Sequence, residues 1–320
     1  MRLSPKEKKR QYRIIYESLF NNPRISNIDL SDTIGMTRET ASKRIRDAFD
    51  CGYVTRPQIR KRSYANFKQY MFFVDCEDPL ELYLQYNEDQ NVVYHAVMEG
   101  FANLWVTSLD KMIIEGNILV GGPVSDMHVS FAPFRSWDEA IKIMWEKVET
   151  FNPAEYESKG TIQTHYDEKM EWDKEDEILY RNLKYDLRKP LYPIAKKNHI
   201  SGQRAWDWLK KLPECCSIIT KYYPRTRAAY DPYIFIFETD YEDFIVDVFS
   251  ELPTSCLFFT VSNKLVLDVY MARKFLRINS QPVSNISKLH IPLLIRRLLK
   301  EGIIKKEMHA LVDYYWRKDI

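Results

Sequence analysis

The residues "IGMTRETASKRIRDAFDCGY", 34–53, carry the signals of a turn followed by a capped helix. Gly35 supplies a tight turn, and Thr37 offers a hydroxyl to a free backbone N–H at the start of a helix. Ala41, Ile45, Ala48 and Phe49 fall along one face of that helix. Glu39, Ser42, Lys43, Arg46 and Asp47 fall along the other, with Arg38 in the exposed first turn. Small Ala41 and Ala48 let neighbouring helices approach closely. Gly52 ends the helix in the usual manner. Toward the N-terminus, residues 27–34 predict a short helix with Ile28, Leu30 and Ile34 facing in. Pro23 separates it from a first helix over residues 10–20, marked by Tyr12, Ile15, Tyr16 and Leu19 at helical spacing. Toward the C-terminus, "YVTRPQIRKRSYANF", residues 53–67, predicts an extended pair with a basic tip at Arg60, Lys61 and Arg62.

Helix, helix, turn, helix and basic ribbon is the order of a winged helix-turn-helix. Its last helix lies in the major groove of double-stranded DNA, where side chains reach base edges. Basic residues of the wing meet phosphates. A basic helix alone usually just faces water. The Gly35 turn, the capped helix with small buried residues and the Arg-rich ribbon together favour DNA. The expected DNA-binding residues are Thr37, Arg38, Thr40, Ser42, Lys43, Arg44 and Arg46 on the helix, with Arg60, Lys61 and Arg62 on the wing.

The charge distribution agrees. Net charge over the 320 residues is only +2. Residues 1–69 hold 16 Lys and Arg against 7 Asp and Glu, leaving 31 against 38 for the remainder. A basic head on an acidic body suits a polyanionic partner. The start, "MRLSPKEKKRQYR", has no apolar run after its charges, so no signal peptide is expected. No stretch is long and apolar enough to predict a transmembrane helix. Cys51, Cys76, Cys215, Cys216 and Cys256 are odd in number and scattered, as expected of reduced, buried thiols in a cytoplasmic protein. No metal-ligand spacing surrounds them, and neither metal nor cofactor is expected.

The chain then repeats its opening. Residues 172–212 carry Ile178, Leu179 and Leu183 on a first helix, and Leu191, Ile194 and Ala195 on a second. Ser201 caps a third, with Ala205, Leu209 and Leu212 inside. Asp173, Asp176, Ile178, Leu179, Leu183, Asp186, Arg188, Ala195 and Ser201 sit as in the opening of the Lrp/AsnC feast/famine transcriptional regulators, which this chain resembles. That family's recognition helix runs S-x-x-T-V-x-x-R-I-x-x-L. The first copy is similar at Thr37, Thr40, Ala41, Arg44, Ile45 and Ala48. The second departs from it. Arg204 stands at the Thr position and Trp208 at the Arg position, with outward Trp206 and Asp207. It is expected to be a degenerate reader whose tryptophans pack or meet a partner.

Each helical module precedes a run of strands. The expected strands lie near residues 70–75, 92–97, 104–108, 113–120 and 127–131, then 233–240, 257–261, 266–272 and 274–277. Helices are expected at 79–86, 136–148, 241–252 and, as a long C-terminal helix, from 291. The fold class is α+β: two winged helix-turn-helix domains alternating with two α+β sandwich domains, ferredoxin-like and of Lrp/AsnC type. The expected boundaries are 1–66, 67–152, 170–228 and 229–320. The resemblance implies sensing domains that pair sheet face to sheet face, within the chain or across a homodimer presenting two N-terminal readers. It also implies a small-molecule effector at a turn that here reads Gly100, Phe101, Ala102 and Asn103, although a plain hairpin turn explains the same residues.

Three functions stay open. A sequence-specific DNA-binding transcriptional regulator, not an enzyme, is the first. The second is an enzyme similar to siroheme decarboxylases on the same fold, with His95, His128 and Arg135 as candidates. A lone His on a strand is more often structural, and such an enzyme has no need of a basic ribbon. The third is a protein-interaction adaptor built on the second copy. No GxGxxG, P-loop or HExxH pattern points to other catalysis.

Overall fold

The computed structural model describes residues 4–272 and 286–317. The chain forms two compact units, Met1–Lys61 with Met170–Ala228, and Arg62–Lys169 with Ala229–Ile320. The four expected segments thus combine two by two: the two helical segments make one body and the two strand-rich segments make the other.

In the first body, α1 (Pro5–Asn21) starts earlier than expected because Ser4 accepts the Glu7 N–H at 3.1 Å. α2 (Asn27–Ile34) is capped by Ser26 and ends at Gly35, whose φ of 73° is left-handed. α3 (Arg38–Asp50) is capped by Thr37, and β1 (Gln58–Lys61) follows. The second helical segment, expected to be a second copy, supplies α6 (Lys174–Leu183), α7 (Leu191–Lys197), α8 (Gly202–Cys215) and β7 (Cys216–Ile219). Asp173 and Asp176 close a capping box on α6, and Ser201 caps α8 through the Arg204 N–H. Pro213 does not stop α8, which runs on for its last turn to Cys215.

The expected self-paired ribbon is replaced by an exchange between the copies. β1 pairs antiparallel with β7, from Gln58↔Ile219 to Lys61↔Cys216. Burial explains the choice. Ile59 is fully buried among Leu179, Leu183, Trp208 and Leu212 of the second copy. In return Tyr222 stacks on Tyr16 of the first copy at 4.9 Å, and Arg13 lies over both rings. The loops also interlock. Arg188 donates to the Ile25 carbonyl at 2.5 Å and to Asn27 at 2.7 Å, and Arg24 donates to the Leu187 carbonyl. Each strand covers one edge of the other, and a covered edge cannot template pairing with another chain.

Lys61 therefore points inward. It pairs with Glu177 and lies 4.9 Å from the Trp172 ring and 4.7 Å from that of Tyr180. Burial pushes Glu177 up, but hydrogen bonds from Lys61 and Arg181 outweigh it and hold the carboxyl at about 2, below its ordinary 4.5. Such a group stabilises the fold above the unfolded value and loses that contribution as pH falls through the folded one. E177Q should lower unfolding free energy at neutral pH by about 2 kcal/mol. The gap from wild type should close between pH 4.5 and about 2. A denaturant series across that range checks it, and a constant gap would remove the ion pair from the stability of this body.

The second body contains one nine-stranded antiparallel sheet. Its first half is β2 (Tyr70–Asp75), β3 (Val92–Gly100), β4 (Leu104–Ser108), β5 (Asn117–Pro123) and β6 (His128–Val129), with α4 (Pro79–Glu88) and α5 (Trp137–Thr150). Its second half is β8 (Tyr230–Glu238), β9 (Leu257–Val261), β10 (Lys264–Ala272) and β11 (Lys306–Arg317), with α9 (Glu242–Phe249) and α10 (Ile286–Lys300). The order is β5-β2-β4-β3-β11-β8-β10-β9-β6. The expected long C-terminal helix ends at Lys300, the chain turns at Gly302 with a φ of 72°, and it returns as β11. That strand joins the halves edge to edge, pairing with β3 and β8. Within the chain the two halves thus pair edge to edge through β11, not sheet face to sheet face. The expected strand at 274–277 lies outside the described residues.

The sheet curls until its ends meet. Ser125 N–H donates to Thr260 O at 3.0 Å, and Ser262 N–H to Pro123 O at 3.2 Å. On the outer side α5, α9 and α10 cover Phe235, Phe237, Leu265 and Leu267, while α4 covers Phe72, Val74, Leu104 and Val106. Contrary to expectation, the five free thiols are not all buried: Cys51 is exposed, and Cys76 is half-buried.

Candidate nucleic-acid interface

α3 is anchored by Ala41, Ile45 and Ala48, all buried. This leaves Arg38, Glu39, Thr40, Lys43 and Arg46 exposed on the opposite side. Among the described residues no hydrogen bond or ion pair engages Arg38 or Arg46. Lys43 meets Glu39 at 2.9 Å, but the two side chains are 74% and 81% exposed. A pair so open to water holds the lysine weakly. Thr37 and Thr40 are spent on the helix start: the Thr37 hydroxyl caps the Thr40 N–H and donates to the Thr40 hydroxyl at 2.9 Å. Ser42 is half-buried and accepts from Asn27 at 3.4 Å, which ties α3 to α2.

Arg44 faces the interior. Its side chain is only 11% exposed, meets Asp47 at 2.9 Å and covers the Tyr12 ring. Tyr12 donates to the same carboxylate at 2.5 Å. Burial and then Asp47 raise Tyr12 to about 12, so it stays a neutral donor. Arg44 thus braces α3 against α1.

The three wing residues are dispersed. Arg60 bonds Gln58 at 3.3 Å and lies over the Tyr185 ring. Lys61 is paired inward, as described. Arg62 belongs to the second body, where it meets Asp126 at 3.2 Å beside His165. A basic tripeptide at a strand end looks the same in sequence whether its strand pairs with itself or with a distant segment. The apolar Ile59 between polar neighbours was the available signal.

On α8 the cations also turn inward. Arg204 holds Asp173 at 2.8 Å and Asp176 at 2.6 Å, and Lys211 reaches Asp176 at 3.4 Å. Trp208, at the position of Arg44, is completely buried, whereas Trp206 is 59% exposed. The first body as a whole contains 27 Lys and Arg against 15 Asp and Glu, and the second 20 against 30. The basic field covers both helical copies.

The other singled-out residues lie in the second body. Gly100 closes the β3–β4 hairpin, and a Cβ there would fall 2.3 Å from the His309 carbonyl oxygen of β11. Phe101 packs on Phe73, Ala102 is buried, and Asn103 bonds the Cys76 backbone at 2.7 Å and 3.1 Å. These contacts build the hairpin. His95 is fully buried against the Tyr83 ring, and burial pushes it down to about 4. His128 is half-buried and likewise lowered by burial. Arg135 pairs with Glu251. Among the described residues no helix is long and apolar enough to cross a membrane, and no group of His, Cys, Asp and Glu is arranged to hold a metal.

Residues 10–55 match the family described as winged helix-turn-helix DNA-binding. No curated protein matches the chain. Two solved structures resemble it: the siroheme decarboxylase NirDL, at 14% identity and a TM-score of 0.46, covering 96% of this chain and 92% of that one; and the same enzyme with an iron-uroporphyrin III analogue, at 13% identity and 0.44, covering 95% and 92%.

Proposed function

We propose that the chain is a sequence-specific DNA-binding transcriptional regulator whose α3 enters the major groove. The observation that carries this reading is the exposed cationic face of Arg38, Lys43 and Arg46 on a capped helix of a winged helix-turn-helix, inside a strongly basic body. An Arg fork matches the acceptor edge of guanine, and a good bidentate contact discriminates by about 1–3 kcal/mol. Arg44 and Lys61 support the scaffold and do not touch DNA. No catalytic role is assigned.

The test is selection of bound duplexes from a random pool. Wild type should enrich one motif, and R38A should lose preference at one position of it. K61A should keep the wild-type motif. Recovery of random sequence by the wild type would overturn the reading, as would a specificity change in K61A without one in R38A.

A further inference from the structure

The exchange of β1 and β7 places two helix-turn-helix copies in one body, and their antiparallel register relates them as two halves of a dimer would be related. The reciprocal bonds of Arg24 and Arg188 follow the same relation. The flank to which a second N-terminal module would have to add its strand is filled by the chain's own second copy.

The two copies differ where they would meet DNA. In the first, the exposed charge of α2 is acidic, at Asp29 and Asp32, and the cations stand on α3. In the second the exposed charge of α7 is basic, and α8 sets the carboxylate of Asp207 beside its exposed Lys210. On α8, Lys210 and Gln203 both turn to Asp207, at 3.3 Å and 3.0 Å, and Arg204 is held by Asp173 and Asp176. Just ahead of that helix, Lys196 and Lys197 end α7 and are exposed, with exposed His199 in the turn. Lysines beside the start of a helix seated at the groove face phosphates, which carry no base information. The segment 170–228 holds 13 Lys and Arg against 8 Asp and Glu, so its field favours this contact despite Asp207.

We propose that one chain, without a second copy, occupies a two-part duplex site: α3 reads bases in one major groove, and the second copy grips the neighbouring backbone through Lys196 and Lys197. This rests on the DNA-binding reading above. The site is then asymmetric, with a specified half and an unspecified half roughly one helical turn, or a multiple of it, away.

The experiment uses the full chain and a duplex of about 30 bp carrying the selected motif, a length that spans two half-sites one turn apart. Light scattering of the complex should give one chain per duplex, and hydroxyl-radical footprinting should give two protected patches. Base changes should matter in one patch only. K196A/K197A should fold normally, keep the motif, lose protection of the second patch, and flatten the log–log salt slope by about 1.8, from two phosphate contacts at about 0.9 each. Two chains on a palindromic footprint, or an unchanged slope and unchanged second patch in the double variant, would overturn the proposal while leaving DNA binding intact. A wild type that binds no duplex at low salt would defeat both this proposal and the reading beneath it.

Discussion

Ile59→Ala should destabilise the helical body by about 2–5 kcal/mol, the range for deleting a large aliphatic side chain from a closed core. The residue follows the first helix-turn-helix in the chain, yet its side chain is fully buried among Leu179, Leu183 and Trp208 of the second. The loss should therefore spread across the copy boundary. Hydrogen exchange should show the amides of α6 and α8 losing protection at least as much as those of α1. A local effect confined to the first copy, or a loss under about 1 kcal/mol as expected of a site outside such a core, would mean that the exchanged strand does not tie the copies together.

The helices were readable because their signals are local. Thr37, Ser136 and Ser201 cap helices where a hydroxyl precedes an apolar period, and Gly35 takes the left-handed turn its position requires. Most strands were legible from short apolar runs such as "YMFFVD". What escaped was partner choice, which is non-local. Within residues 53–67, apolar Ile59 calls for burial but does not say whether the ribbon pairs with itself or with Cys216–Ile219. By sequence the strand Lys306–Arg317 merges with the preceding helix, because the apolar content of "HALV" continues that of "LLIRRLL". Only Gly302 breaks the two. The site divides the same way. Arg38, Lys43 and Arg46 were placed outward by helical period alone. Arg44 looked equally cationic, but Tyr12 and Asp47, 32 and 3 residues away in sequence, turn it into a brace.

Binding of the whole chain to its selected duplex should weaken about 500-fold between 50 and 200 mM salt. Exposed cations on both helical segments, including Lys43, Arg46, Lys196 and Lys197, stand ready to displace counterions. If about five phosphates are neutralised, at about 0.9 each, the slope of log affinity against log salt is about −4.5. Each fourfold rise in salt then lowers affinity by about that factor. R46A should flatten the slope by about 1, the share of one phosphate contact. E39Q should not flatten it, because Glu39 only shields Lys43. The decisive measurement is this titration, by fluorescence anisotropy at four or more salt concentrations. A linear fall with a slope near −4.5, reduced in R46A, is the expected result. A slope near zero, or one that R46A and K196A/K197A leave untouched, would contradict the assignment of the basic helical body to DNA.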